Sequence, residues 1–352
     1  MNRLARRVLS VMLLGVLLYG VLVLYRDTNE ISALLSRYAW STFGLACALA
    51  FGNYLLRFLK WEYYLARLDI RGIPKVDSLL VFLSGFVLTV TPGKVGEVFK
   101  SVILFQLKKI PIERTAPIVI AERVTDLIGI IAIITIGSAS FAGGLLWAGF
   151  GAATVVALLV FIAFPRVSTP FVNILPRLPG PLGRTGVRLA PKIDEALHGL
   201  RAIVAPVQLV WPTLLSIVAW SLEGIGLWVI LRGFGEVSSL ARTMFFYSTA
   251  TLAGALVPVP GGLGVTEKLL EEQMARLGGV PAATATASMI LIRFATLWFA
   301  VAVGFAALAL LRARHGRAVL GGEPSAPHEL DVSQPVATSP TTSPLDGTSD
   351  AR

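Results

Sequence analysis

The segments TPGKVGE (Thr91–Glu97) and VPGGLGVTE (Val259–Glu267) carry the same Pro-Gly-x-x-Gly motif in two different parts of one chain. In both, a glutamate follows the last glycine within three residues. An arginine inside an apolar run then follows the motif proline, by 31 residues at Arg123 and by 33 residues at Arg293. Two short matches in nearly the same register predict an internal repeat, each copy of which contains a broken helix.

Composition places this repeat in a membrane. The 352 residues are 55% hydrophobic and 15% charged, and the mean hydropathy is +0.74, whereas an average soluble domain has about 25% charged residues. The net charge of +10 is scattered over loops without an aromatic-interleaved basic stripe, so nucleic acid is not a predicted partner. The single cysteine, Cys47, excludes an intramolecular disulfide and a multi-cysteine metal cluster.

Apolar runs long enough to cross a bilayer predict about six transmembrane helices, because a spanning helix needs roughly 20 residues. These runs are Val8–Tyr25, Ala39–Leu59, Thr115–Ile136, Leu145–Phe164, Val207–Leu231 and Ala283–Leu311. Two shorter runs, Ser78–Val90 and Met244–Val259, end at the Pro-Gly motifs and are predicted to be re-entrant helical arms.

Loop charge predicts the orientation, since cytoplasmic loops retain Lys and Arg. With the N-terminus inside, the inner loops, Lys60–Asp77 among them, hold 19 of these residues and the outer loops hold 5. Both termini are therefore predicted to be cytoplasmic. The first arm then enters from the cytoplasm and the second from outside, so the predicted fold is an all-α membrane protein built as an inverted-topology repeat.

This organisation divides the chain into five parts. They are a first helix with its outer loop (1–38), repeat A (39–136), a connecting helix with a basic amphipathic cytoplasmic loop (137–206), repeat B (207–311), and a tail rich in Ser, Thr and Pro (312–352). The tail has too little apolar sequence to form a core and is predicted to be disordered.

Inverted repeats with broken helices are typical of transporters, whose substrate site lies near the bilayer midplane. Glycines at a break allow close backbone approach, and the N-terminus of the helix that follows favours an anion. An arginine at the bilayer centre costs roughly 2.5–3.5 kcal/mol, so it is expected to face a polar interior. The candidate substrate-binding residues are Gly93, Lys94, Gly96, Glu97, Arg123, Asp126, Glu223, Gly261, Gly262, Gly264, Glu267 and Arg293.

Structural roles compete with this interpretation. The two arginines could pair permanently with carboxylates such as Glu97 and Glu267, or could alternate between these and a substrate. The Pro-Gly breaks could serve helix packing alone. Four other cations are weaker candidates that are expected to snorkel toward the interface: Lys94, Lys100, Lys268 and Arg57.

The stretches TPGKVGEVFK, AERVTDLIGI and PVPGGLGVTEKLL together resemble the lysylphosphatidylglycerol synthase transmembrane region. This flippase-like domain occurs in the multiple peptide resistance factor and in many stand-alone bacterial proteins, and the resemblance covers about residues 8 to 312. It implies lipid translocation in the bacterial inner membrane. The phosphate-binding features make an anionic phospholipid or a polyprenyl phosphate the expected substrate.

Two other functions remain open. The resemblance does not extend to a synthase domain after the last helix, so lipid aminoacylation is not expected, and no metal or cofactor is indicated. The three histidines, His198, His315 and His328, fall in a loop and the tail, which leaves only a carboxylate-based mechanism for an enzyme. The alternative to transport is a non-catalytic membrane partner of a separate lipid- or glycan-modifying enzyme.

Overall fold

The computed structural model describes residues 28–91, 98–139, 164–177, 206–257 and 259–316, with isolated positions between 149 and 191 and at 319. Regular structure in this part of the chain is helical throughout, and it includes no strand. The predicted all-α class is therefore confirmed. The predicted first span (8–25) lies outside the described residues, as do the span at 145–164, apart from isolated positions, and nearly all of the tail.

Repeat A follows a short helix, α1 (Thr28–Ser36). Its elements are α2 (Trp40–Arg67), α3 (Lys75–Ser84) with a 3₁₀ extension (Gly85–Leu88), α4 (Phe99–Lys108) and α5 (Ile112–Ser138). Helix α3 and its extension therefore end at Leu88, before the first Pro-Gly motif. That motif, residues 92–97, lies outside the described residues.

Repeat B follows another short helix, α6 (Pro165–Ile174). Its elements are α7 (Pro206–Gly233), α8 (Leu240–Leu256), a 3₁₀ turn (Pro260–Gly262), α9 (Val265–Arg276), and α10 (Ala282–Arg293), which continues through a π-helical segment (Phe294–Trp298) into α11 (Phe299–His315). The described helices of both repeats therefore follow one order, which is long, shorter, short and long, and the second break lies between α8 and α9.

In the described part of the chain, three helical stretches are long and apolar enough to cross a membrane: Trp40–Arg67, Gln208–Gly233 and Ala282–His315. Helix α5 has a comparable length of 27 residues, but it carries three adjacent charges in its middle, at Glu122, Arg123 and Asp126. The count of about six spans and the inverted orientation of the repeats stay predictions.

The two repeats exchange their last helices. The long helices α2 and α7 pack together, while α5 of repeat A packs on α8 of repeat B, and α11 of repeat B packs on α3 of repeat A. The buried apolar side chains form two main clusters that show the same packing. Leu311 of α11 lies in one cluster with Phe82 of α3. Ile133 of α5 lies in the other cluster with Phe246 of α8. The fold is therefore interlocked across the two halves.

A glycine permits the close approach at each exchanged contact. A Cβ atom added at Gly304 of α11 would lie 2.6 Å from the backbone N of Val87, and one added at Gly137 of α5 would lie 2.9 Å from the carbonyl O of Ala241. Both distances are too short for a real Cβ, so these positions admit no side chain without movement of a helix. Small residues serve the same purpose in other membrane helix interfaces.

Candidate functional site

A cavity of about 170 Å³ is lined by residues of both repeats. Repeat A supplies residues from α2, from α5 and from the end of the 3₁₀ extension. Repeat B supplies residues from α7, from α8, from the second break with α9, and from the continuous stretch of α10, the π-helical segment and α11. The charged and hydroxyl-bearing side chains of this lining include Arg57, Arg123, Glu223, Tyr247, Arg293 and Thr296.

Arg57 and Glu223 come from the first long helix of each repeat and line the same cavity. Arg57 is 8% exposed and Glu223 is 7% exposed. The Arg57 guanidinium lies 5.6 Å from the ring centroid of Phe86 and 6.0 Å from that of Trp220, distances at which a cation is attracted to a ring face. Glu223 accepts a 2.5 Å hydrogen bond from the hydroxyl of Tyr247. Arg57 therefore lines the interior instead of snorkelling as expected.

Arg293, at the end of α10, ties that helix to the second break. Its Nε donates to Oε1 of Glu267 over 2.6 Å, and its Nη2 donates to the carbonyl O of Gly261 over 2.8 Å. The π-helical segment begins at the next residue, and the carbonyl of Thr296 in it accepts a 2.9 Å hydrogen bond from the Tyr54 hydroxyl. A π-bulge often marks a functional site in a helix. The ion pair that sequence reasoning offered as a structural role is thus present for Arg293.

The second break has a backbone that favours glycine. Gly261, Gly262 and Gly264 have φ angles of 61°, 69° and 85°, and only glycine adopts such values at low cost. Gly261 and Gly262 line the cavity. The N–H of Gly264 donates to Oε2 of Glu267 over 2.6 Å. One of the N–H groups expected to attract an anion at this helix start is therefore already bonded to a carboxylate.

Arg123 of α5 lines the cavity, but its neighbour Asp126 lies behind the lining. Nη2 of Arg123 is 3.4 Å from Oδ2 of Asp126, and Nη2 of Arg57 is 3.6 Å from the same oxygen. Asp126 is 2% exposed. The structure thus brings both predicted residues of α5 to the site, Arg123 in the lining and Asp126 in contact with two arginines of the lining.

Lys60 is a residue of this region that sequence reasoning missed. The prediction that it begins a cytoplasmic loop is wrong, because α2 continues to Arg67 and Lys60 is completely buried. Its Nζ donates to Oδ1 of Asp126 over 2.5 Å and to Oγ of Ser216 over 2.7 Å. These acceptors offset the cost of burying an ammonium group. The sequence feature that could have indicated Lys60 is its position three residues after Arg57, which places both cations on one helix face.

Lys100 also differs from its prediction as an interfacial residue. It is 3% exposed, and its Nζ donates to Oε2 of Glu122 over 2.6 Å. The same Nζ lies 4.8 Å from the ring centroid of Trp61 and 4.9 Å from that of Phe82. Lys100 thus forms a further buried ion pair, which joins α4 to α5. Lys268, by contrast, is exposed on α9 as expected.

The first Pro-Gly motif holds four of the predicted site residues. Gly93, Lys94, Gly96 and Glu97 lie outside the described residues. Thr89 and Thr91, on the N-terminal side of the first motif, line the cavity, as does Val259 directly before the second motif. The chain therefore approaches the cavity from both repeats at equivalent points of the motif.

Comparison with known proteins agrees with this architecture. The family described as "Lysylphosphatidylglycerol synthase TM region" matches residues 11–304. The chain belongs to this family. Its members are membrane proteins by description, and the predicted resemblance is confirmed over most of the chain.

Curated relatives of this family member occur in an archaeon. One "UPF0104 membrane protein" of Methanothermobacter thermautotrophicus is 23% identical over 323 residues, which is 83% of this chain and 90% of the relative. A second match with the same description and organism is 29% identical over 126 residues, which is 34% of this chain and 37% of the relative. Both descriptions name a membrane protein and no activity.

Proposed function

We propose that this family member is a lipid transporter that moves an anionic, phosphate-bearing lipid between the leaflets of the inner membrane. The observation that carries the proposal is one cavity lined by Arg57, Arg123 and Arg293, which come from both repeats. Among the described residues, Glu223 is the acidic member of the lining, so the charged side chains there are mostly cationic. Guanidinium groups bind phosphate through paired hydrogen bonds, which favours a phosphate headgroup as ligand.

Exposed apolar residues of the cavity lining support a lipid rather than a soluble anion. Ala255 and Val257 line the cavity and are exposed at the end of α8. Leu256 between them is 74% exposed. A headgroup held by the arginines could therefore leave its acyl or prenyl chains outside, against an apolar surface. A cavity of about 170 Å³ is compatible with a small headgroup.

The exchanged helices support alternating access. Each half contributes an arginine-bearing helix to the same cavity, and the last helix of each half packs on the other half. Two equivalent halves around one site are the arrangement by which transporters expose a substrate alternately to each face. In this proposal the chain acts as a transporter rather than as an enzyme, and the arginines hold the headgroup electrostatically.

Reconstitution of the purified protein tests the proposal. Proteoliposomes would receive, in separate samples, fluorescent phosphatidic acid, phosphatidylglycerol, a polyprenyl phosphate or zwitterionic phosphatidylcholine. The proposal expects transfer between leaflets of at least one anionic lipid, faster than that of phosphatidylcholine and faster than in protein-free liposomes. Absence of transfer across the panel, with folded protein verified by thermal unfolding, would favour the alternative role as a membrane partner of a lipid-modifying enzyme.

A further inference from the structure

The two carboxylate oxygens of Asp126 face different partners. Oδ1 accepts hydrogen bonds from Nζ of Lys60 over 2.5 Å and from Oγ of Ser216 over 3.0 Å. Oδ2 faces the cavity arginines, at 3.6 Å from Arg57 and 3.4 Å from Arg123. Charge-assisted N–H···O bonds are about 2.7–2.9 Å long. One oxygen is therefore anchored by hydrogen bonds, and the other attracts two guanidinium groups at longer range.

The anchored side does not depend on the arginines. Lys60 lies on α2, Asp126 on α5 and Ser216 on α7, so the network joins three long helices of both repeats. Lys60 donates further to Oγ1 of Thr125 over 3.1 Å, which fixes its ammonium group on the α5 side. Both Lys60 and Ser216 are completely buried. The carboxylate thus has a defined position directly behind the two arginines whether or not these bind a ligand.

We infer that Asp126 is the counter-ion that sets how tightly the cavity holds an anion, and that Lys60 weakens its hold on the arginines. This inference rests on the proposed function, because the anion is taken to be the phosphate group of a lipid. A phosphate that enters the cavity competes with Asp126 for Arg57 and Arg123. When phosphate binds, Arg57 and Arg123 lose no short hydrogen bond to Asp126. Asp126 keeps the hydrogen bond that it accepts from Lys60. The affinity of the cavity for phosphate is then high enough for binding and low enough for release.

The two residues should shift anion affinity in opposite directions. Asp126→Asn removes a negative charge about 3.5 Å from both arginines, so phosphate should bind on the order of tenfold more tightly. Lys60→Met leaves Asp126 with a full charge and the arginines as its nearest cations, so phosphate should bind on the order of tenfold more weakly. If the network were purely structural, the two variants would change the stability of the protein without shifting its phosphate affinity in opposite directions.

Two double variants separate affinity from folding. Lys60→Met/Asp126→Asn removes both charges of the buried pair, so Lys60 is not left buried without its carboxylate, and this variant should still bind phosphate more tightly than the wild type. The matched control is Lys100→Met/Glu122→Gln, which neutralises the other buried pair outside the cavity lining. That control should alter thermal stability and leave phosphate affinity unchanged.

Calorimetric titration of the detergent-solubilised full chain provides the test. One arm uses inorganic phosphate and the other dihexanoylphosphatidic acid, which distinguishes a free phosphate from a lipid headgroup. Tighter binding by the Asp126→Asn variants together with weaker binding by Lys60→Met supports the inference. Equal affinities of wild type and variants would overturn it while leaving the proposed function intact. Absence of binding of either probe to the wild type and to every variant would overturn both.

Discussion

Arg293 and Glu267 form a buried ion pair across the second break, with Nε of the arginine 2.6 Å from Oε1 of the glutamate. The same glutamate accepts the N–H of Gly264 through its other oxygen. The side chain that contributes positive charge to the cavity therefore also holds the broken segment in place. Binding and structural roles of Arg293 can be separated by changing its partner.

Arg293→Gln should abolish lipid transfer and lower stability, because Glu267 remains buried without its cation, and breaking such a pair costs roughly 3–5 kcal/mol. Arg293→Gln/Glu267→Gln should regain most of the stability and none of the transfer. Thermal unfolding in detergent and leaflet transfer in proteoliposomes would be measured for both. Recovery of transfer in the double variant would mean that Arg293 is a structural residue only.

Arg123 should respond differently from Arg293 because it lies in the lining with a 30% exposed side chain. Arg123→Gln should abolish transfer while the protein remains folded. Arg123→Lys should keep partial transfer, since an ammonium group retains the charge but lacks the paired donors that match a phosphate. Equal transfer by the Lys variant and the wild type would show that a point charge is sufficient at this position.

The inverted orientation of the repeats can be tested by thiol labelling. Val237 is 84% exposed and Leu277 is 50% exposed, and they lie on either side of α8 and α9. In a Cys47→Ala background, Val237→Cys and Leu277→Cys should react with an impermeant thiol reagent added outside intact cells. Arg71→Cys in the predicted cytoplasmic loop should react only after lysis. Labelling of all three from the same side would contradict the inverted repeat.

The exchanged packing predicts a strong effect at an uncharged residue that does not itself line the cavity. Gly304→Ala should destabilise the protein by about 1–3 kcal/mol, because its Cβ would meet the backbone of α3's 3₁₀ extension. Gly44→Ala on α2 is the matched control, since a Cβ there meets no atom within 4 Å. That change should be neutral or stabilising by up to about 1 kcal/mol. Thermal unfolding of the two variants would decide, and equal melting temperatures would contradict the close α11–α3 contact.

Helix order and part of the site were predictable because local sequence determines them. Hydrophobic length gave α5, α7 and the continuous α10–α11 stretch to within four residues at each end, and it gave the start of α2. The repeated Pro-Gly motif located the second break. The spacing of Arg123 and Arg293 from that motif placed both on equivalent helices. Their presence in one cavity with Glu223 follows from the packing of the two repeats.

The buried charge network was not predictable, since it depends on contacts between distant residues. Lys60 lies at the end of an apolar run and so resembled the start of a loop. Its burial depends on Asp126 and Ser216, which are 66 and 156 residues away in the sequence. Lys100 resembled an interfacial cation for the same reason, because its partner Glu122 lies on another helix.

The central claim is tested most directly by measuring leaflet transfer of fluorescent phosphatidic acid in proteoliposomes with an impermeant quencher. Matched samples contain the wild type or the Arg123→Gln/Arg293→Gln variant. Lys268→Gln serves as the control, because this lysine is exposed on α9 and lies outside the cavity lining. The account predicts transfer by the wild type and by Lys268→Gln, and transfer no faster than in protein-free liposomes for the folded double variant. Transfer at the wild-type rate by the double variant would contradict it.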